Sequence, residues 1–311
     1  MITRPLLLVC DIDGTMTGDD DARERLSALL QELRSSGDHQ VLLCYNSGNG
    51  VDRMARMCAR GELPWPDHYV GNIGTAIYPF PDGGQEAVLD RQWEHLMEET
   101  GFKEEAVDAA VALATQRVLG VAPMPMPTSA PTPGEPMGVR ALGNGTAGGD
   151  SRFYSGLFIN TLDIGEKSAV LVAALAEELQ AAGMLCLLNP QTGMAVAPVS
   201  AGDSFLIEVC PESAGKGKGL TRLRESLGFR EEDTLVCGDG GNDIPMFYDA
   251  GRELACIVAN AAVGLREKLQ SEERPNTFMA TRASAGGVME AIEHWGFLSA
   301  AAGSLAVDAR L

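Results

Sequence analysis

Short apolar runs and helical stripes alternate along most of this chain. Leu6 to Val9 is unbroken apolar sequence, leading through Cys10 into Asp11-Ile12-Asp13-Gly14-Thr15. Such a run suits a strand buried on both faces, as in a parallel sheet. Its abrupt end in Asp, Gly and Thr places two acids at the carboxyl end of the strand, where open α/β sheets bind ligands. Met16 to Asp20 reads as a polar loop, long enough for a small flap. A helix follows, with Asp19 to Asp21 at its start and Leu26, Leu29, Leu30 and Leu33 in one stripe; Ser35-Ser36-Gly37 closes it. A second buried strand, Gln40 to Cys44, runs into Tyr45-Asn46-Ser47-Gly48-Asn49-Gly50. The next helix carries Val51, Met54 and Cys58 on one face.

His68 to Tyr78 reads as strand and turn, and the turn-rich Pro79 to Gly84 marks a first domain boundary. Residues 86–120 carry helical stripes, with Trp93, Leu96 and Met97 on one face, a break at Gly101-Phe102, then Ala106, Ala110 and Leu113. Trp93 and His95 are open to two readings, ligand contact or packing. Residues 122–150 are rich in Pro, then Gly, and are expected to form a long loop without a regular element. Phe153–Leu162, Met184–Leu188, Met194–Pro198 and Phe205–Cys210 read as strands around a helix over Gly165–Ala182. That mixture predicts an α+β unit on one side of an antiparallel sheet. Next comes the helix marked by Leu220, Leu223 and Leu227. The short strand Thr234–Cys237 follows, then a strand over Leu254–Ala259 and a helix capped by Asn260 reaching about Gln270. Strand Thr277–Ala280 and helix Ser284–Trp295 finish the series. The expected fold is α/β, a Rossmann-like parallel-sheet core with an inserted α+β cap domain. Residues 1–85 and 212–298 form the core, 86–211 the cap with its Pro/Gly-rich loop at 122–150, and 299–311 a fraying tail.

The strand ends carry the candidate chemistry. Asp11 and Asp13 repel each other unless a cation offsets them, and carboxylate oxygens suit a hard divalent ion such as Mg2+. A strand end with an Asx turn is the plainer reading. Ser47-Gly48-Asn49 supplies a hydroxyl and exposed N–H groups for an anion, or else an ordinary helix cap. Ser213-Ala214-Gly215-Lys216-Gly217-Lys218-Gly219 sets cations and glycines at a helix start without P-loop spacing. Gly238-Asp239-Gly240-Gly241-Asn242-Asp243 is a second acidic cluster at a strand end. In one parallel sheet these ends share an edge, so Asp239 and Asp243 can meet Asp11 and Asp13.

Composition narrows the partners. With 43 acidic against 24 basic residues the formal charge is −19, which argues against nucleic-acid or anionic-membrane surfaces. A small anion still fits where a metal and a lysine reverse the local field. Seven scattered cysteines show neither zinc spacing nor a disulfide framework, as expected of buried thiols in a reducing, cytoplasmic setting. The N-terminus lacks signal-peptide character, and no apolar run approaches the ~20 residues of a membrane span.

Together, Asp11-x-Asp13-Gly-Thr, Ser47-Gly48, Lys216 and Gly238-Asp239-Gly-Gly-Asn242-Asp243 resemble the haloacid dehalogenase superfamily. The cap between the second and third segments resembles its type IIB members, mostly sugar-phosphate phosphatases. Leu89-Asp90-Arg91-Gln92-Trp93 and Ser284-Ala285-Gly286-Gly287-Val288-Met289-Glu290-Ala291-Ile292 are similar to the sucrose-phosphate phosphatases. The resemblance implies a Mg2+-dependent phosphatase acting on a sugar phosphate monoester. In it Asp11 is the nucleophile and Asp13 the general acid and base. Lys216 neutralises charge, and Ser47, Gly48, Asn49, Lys216 and Asn242 bind substrate. The metal is held by Asp11, Asp13 (through its main-chain carbonyl), Asp239 and Asp243. The departures are Gly48-Asn49 where that group has Gly-Arg, Gly74-Thr75-Ala76 where it has a Glu, and Leu157-Phe158-Ile159-Asn160 where it has Lys-x-Ser-aromatic. They fall where the sugar is read, and Asn49, Asn160, Thr161 and Glu208 are candidates for that task. Two other readings stand beside it: a catalytically weak sugar-phosphate-binding regulatory module, and a phosphomutase. The mutase is disfavoured because Phe153–Cys210 contains one Lys and no Arg.

Overall fold

The computed structural model describes residues 2–37, 39–81, 86–120, 139–142, 152–153, 155–160, 167–189, 204–248, 251–272 and 274–298. Strand β1 (Leu6–Cys10) is buried along its whole length. It pairs in parallel with β2 (Val41–Asn46) on one side and β9 (Thr234–Gly238) on the other, with Cys10 opposite Tyr45 and Cys237. Beyond β2 lie β3 (His68–Gly71) and the antiparallel β4 (Ala76–Pro79); beyond β9 lie β10 (Leu254–Ile257) and β11 (Thr277–Met279). The seven-stranded order is β11-β10-β9-β1-β2-β3-β4. Apolar side chains on both faces of β1 explain its central place, because only a strand covered by helices on both sides can carry them.

The covering helices form where the stripes predict, but two stripe residues, Leu96 and Leu113, are exposed and do not share the buried faces of their helices. Helix α1 (Asp20–Ser36) is capped by Asp19, whose carboxylate accepts from Ala22 N at 2.9 Å, and ends at Gly37 in the left-handed region. Helix α2 (Val51–Ala59) buries Val51, Met54 and Cys58. On α3 (Arg91–Glu99), Trp93 and Met97 join the core cluster, and Trp93 Nε1 donates to Gly74 O at 3.0 Å. Trp93 is thus a packing residue, and His95 lies exposed beside Glu98 and Glu99. Helices α6 (Lys216–Leu227), α7 (Ile244–Tyr248), α8 (Val263–Ser271) and α9 (Ser284–His294) complete the layers.

A second sheet is antiparallel, in the order β5-β6-β8-β7. It comprises β5 (Val139–Leu142), β6 (Ser155–Asn160), β7 (Met184–Asn189) and β8 (Ser204–Pro211). Helices α4 (Glu104–Leu119) and α5 (Ser168–Ala181) accompany it. A separate cluster of Val107, Val111, Leu171, Leu175, Leu179 and Val209 forms its core.

Three expectations are corrected. The Pro/Gly-rich stretch contains a regular element, since β5 pairs with β6; four residues between Pro136 and Gly143 give too short a signal to stand out. Met16 is fully buried, so the loop after Thr15 is anchored by a core side chain. Asn260 does not cap α8, which starts behind Ala262 without a side-chain cap; its amide is used elsewhere. The expected strand at Met194–Pro198, Thr161 and the tail 299–311 lie outside the described residues. Among the described residues, no helix is long and apolar enough to cross a membrane.

Candidate active site

The sheet brings the predicted segments to one edge. Asp11 follows β1, Ser47 follows β2, and Asp239 follows β9, on three adjacent strands. Lys216 opens α6 and is fully buried. Its ammonium donates to Asp11 Oδ1 and to Asp243 Oδ1, each at 2.7 Å. The main chain beneath it is fixed by Asn46, whose Nδ2 donates to Lys216 O at 2.8 Å. Burial alone would lower the lysine's pKa, but the charges of Asp11 and then Asp243 overcome it and hold the ammonium protonated.

Asp243 is a structural hub. Its Oδ2 accepts from the N–H groups of Asp239 and Gly240, each at 2.9 Å, so it shapes the loop that presents Asp239. Asp239 Oδ1 accepts from the Thr15 hydroxyl at 2.8 Å. Gly14 touches this carboxylate, and at φ 83° it has no room for a Cβ, which would overlap Asp239 Oδ2. One oxygen each from Asp11, Asp239 and Asp243 lies within 4.8 Å of the others.

One lysine does not balance three carboxylates. Burial first, opposed by Lys216 and reinforced by Asp243 and Asp239, raises the Asp11 pKa well above the carboxylate range. Burial and then the Asp243 charge push Asp239 up to about 7. Such a surplus of oxygen ligands and negative charge suits a hard divalent cation. The Asp13 carboxylate stands apart from this cluster. It accepts from Asn49 Nδ2 at 2.9 Å and from Arg53 at 3.2 Å.

The second segment lies alongside. Ser47 Oγ accepts from Asn49 N at 3.2 Å and from Asn49 Nδ2 at 3.0 Å, while α2 begins behind Gly50 with no side-chain cap. Ser47 and Asn49 are therefore free of the capping role. Asn242 Nδ2 donates to Glu208 Oε2 at 3.1 Å, which brings a buried carboxylate of β8 up to the core. Lys218 is exposed. Asn160 ends β6 opposite Ser204.

Sequence reasoning misses a buttress. Asn260 Nδ2 donates to Gly14 O at 2.8 Å, and its Oδ1 accepts from Ser284 N at 2.8 Å. The Ser284 hydroxyl donates to the same Gly14 carbonyl at 3.1 Å. Ser284 holds φ 48°, uncommon for a residue other than glycine. These residues fix the turn after Asp13 from strands on the far side, and no local pattern announces them. Arg53 is also missed, because an arginine on an amphipathic helix reads as solvent-facing.

A parallel sheet with an antiparallel cap-like sheet, and a strand-end Asp facing a buried Lys and a second acidic loop, define a phosphatase of the haloacid dehalogenase superfamily. The comparisons narrow this. The model of the sucrose-6F-phosphate phosphohydrolase family matches residues 4–120 and 171–296, and the chain belongs to that family. Mannosylfructose-phosphate phosphatase of Agrobacterium fabrum is 26% identical over 94% of this chain and 98% of its own. Sucrose-phosphatase 2 of Nicotiana tabacum is 24% identical over 93% of this chain, which spans only 59% of that longer relative. Among solved structures, the sucrose-phosphatase of Synechocystis, in complex with sucrose and phosphate, superposes with a TM-score of 0.68 at 23% identity. That match covers 96% of this chain and 100% of the other. A subclass IIB sugar phosphatase gives a TM-score of 0.54 at 14% identity, covering 94% and 100%. At those identities the structures establish the fold, a core carrying a cap.

Proposed function

We propose that the protein is a Mg2+-dependent phosphatase that hydrolyses a sugar phosphate monoester through an aspartyl-phosphate intermediate. The observation that carries this reading is the buried Asp11 carboxylate, held 2.7 Å from Lys216 at the edge where Asp239 also arrives. Asp11 attacks phosphorus as the bond to the sugar oxygen breaks, and Asp13 gives that oxygen its proton. In the second half, Asp13 takes a proton from water as the water oxygen attacks phosphorus, and Asp11 is released. Lys216 stabilises the phosphoryl charge, while Ser47, the N–H groups around Gly48, and Asn242 orient the group. Mg2+ would be held by Asp11, Asp239 and the main-chain carbonyl of Asp13, with Asp243 supporting the set, and supplies positive charge against the phosphoryl oxygens. We read the second sheet with its helices as the cap that encloses the sugar.

Sucrose 6-phosphate and mannosylfructose phosphate are the first substrates to try, because the relatives named for them cover nearly all of this chain. The altered Gly48-Asn49, Gly74-Thr75-Ala76 and Leu157–Asn160 stretches favour a sugar other than sucrose. Free phosphate release with Mg2+ across a sugar-phosphate panel, for the wild type and Asp13→Asn, tests the reading. Selective release lost in the variant supports it. Binding of sugar phosphates without release would favour the regulatory-module reading and sink the catalytic one.

A further inference from the structure

We propose that Arg53 is a positioning residue for Asp13, acting with Asn49 as a clamp that aims the acid at the leaving oxygen. The inference rests on the phosphatase reading and assigns a role to a residue outside the strand-end motifs. Asp13 lies three residues past the end of β1, and its side chain is 44% exposed. No core packing fixes it, yet a proton donor must be held within hydrogen-bond reach of its target.

The clamp provides that fixing. Asp13 Oδ2 accepts from Asn49 Nδ2 at 2.9 Å, and Asp13 Oδ1 accepts from Arg53 Nη2 at 3.2 Å. Arg53 Nη1 donates to Asn49 Oδ1 at 2.5 Å, closing the ring of three side chains. The last bond decides which way the Asn49 amide faces. With its oxygen taken by Arg53, its NH2 group must point to Asp13 and Ser47, where both donors are used. The Asn49 main chain is itself anchored, its carbonyl accepting from Asn72 N at 3.0 Å and from the Tyr69 hydroxyl. A guanidinium can reach two acceptors in one plane, which an ammonium cannot.

Stability does not account for the arrangement. Arg53 is 46% exposed, and an exposed ion pair contributes little to folding. It also occupies the first turn of α2, where the helix dipole disfavours a cation. The chain thus keeps an arginine at a position poor for its helix, facing the acid. It does so four residues beyond Asn49, within reach of both the Asn49 amide and the acid.

The test compares two leaving groups. A sugar alkoxide needs a proton to depart, whereas p-nitrophenolate departs without one. Kinetics are measured with Mg2+ on p-nitrophenyl phosphate and on whichever of sucrose 6-phosphate and glucose 6-phosphate the wild type hydrolyses faster. Arg53→Gln is expected to lower kcat/KM, which ends before the water attack that both esters share, ~10- to 100-fold on the sugar ester and less than ~3-fold on the aryl ester, with every comparison of variants made on kcat/KM; the loss is no larger than the roughly 100- to 10,000-fold that a general acid supplies. In an Asp13→Asn background the same change should add less than about 2-fold, since the two residues act through one group. Arg53→Lys, which keeps charge and stem, should recover less than half of the loss and serves if Arg53→Gln fails to fold. Equal losses on both esters, full additivity with Asp13→Asn, or complete rescue by Lys would each overturn the clamp. Absence of release from either ester by the wild type would instead overturn the phosphatase reading.

Discussion

Gly48 of the core and Glu208 of the cap sheet are in direct contact: a Cβ on Gly48 would overlap Glu208 Oε1. Glu208 cannot easily give way, because it is 1% exposed and Asn242 holds its other oxygen. The Gly48→Ala change should therefore push β8 away from the core, at a cost of about 1–3 kcal/mol typical of overpacking. Its melting temperature and its phosphate release should both fall. Adding Glu208→Ala to Gly48→Ala should recover part of both, and a double variant no better than the single would remove this contact from the account.

Lys216 is the sole cation among the described residues that touches Asp11 and Asp243. Replacing it by Met leaves buried carboxylates without their partner, which costs about 3–5 kcal/mol when one member of a buried pair is removed. Denaturant unfolding should record a loss of that order, together with loss of turnover. Unchanged stability would mean that the acids simply take up protons.

The raised pKa values give a direction for pH. Asp239, at about 7, lies above its ordinary value in an unfolded chain, roughly 3.9. Between those values the folded chain keeps a proton that the unfolded chain has released, so stability without metal falls as pH rises through that window. Asp11 shifts in the same direction. Metal binding must displace those protons, so Mg2+ should raise the melting temperature more at pH 8 than at pH 6, and calorimetry should detect proton release on binding. A larger Mg2+ effect at pH 6 would contradict the charge balance described.

Asn260 and Ser284 both donate to Gly14 O in the turn after Asp13. Asn260 is exposed, so Asn260→Ala should leave the unfolding free energy within about 0.5 kcal/mol of wild type, as for ordinary surface substitutions. Its kcat should fall about 10-fold or more, because small displacements of reacting groups are costly. A wild-type kcat would show the turn to be held well enough without it.

What was legible in the sequence follows strand ends. Asp11, Ser47 and Asp239 each follow an apolar run, so one parallel sheet places them together with no further information. Lys216 was legible from its glycine-rich helix start. Arg53, Asn260 and Ser284 were not, because their meaning comes from elements that meet only in three dimensions. Asn260 looked like a cap, since an Asn before a helix most often is one; the turn at Gly14 claims its amide instead. Strand β5 was hidden by the glycines and prolines around it.

The pairing of β1 with both β2 and β9 has a consequence for how the protein comes to exist. Asp11 and Lys216 are separated by 205 residues of sequence. At roughly 5–20 residues per second, a ribosome needs about 10–40 s between the two. Throughout that interval the nascent first half offers a strand with one unpaired edge and an aspartate with no counter-charge. The cap is made before its own foundation is complete, so the reaction centre can close only after the cap has been synthesised.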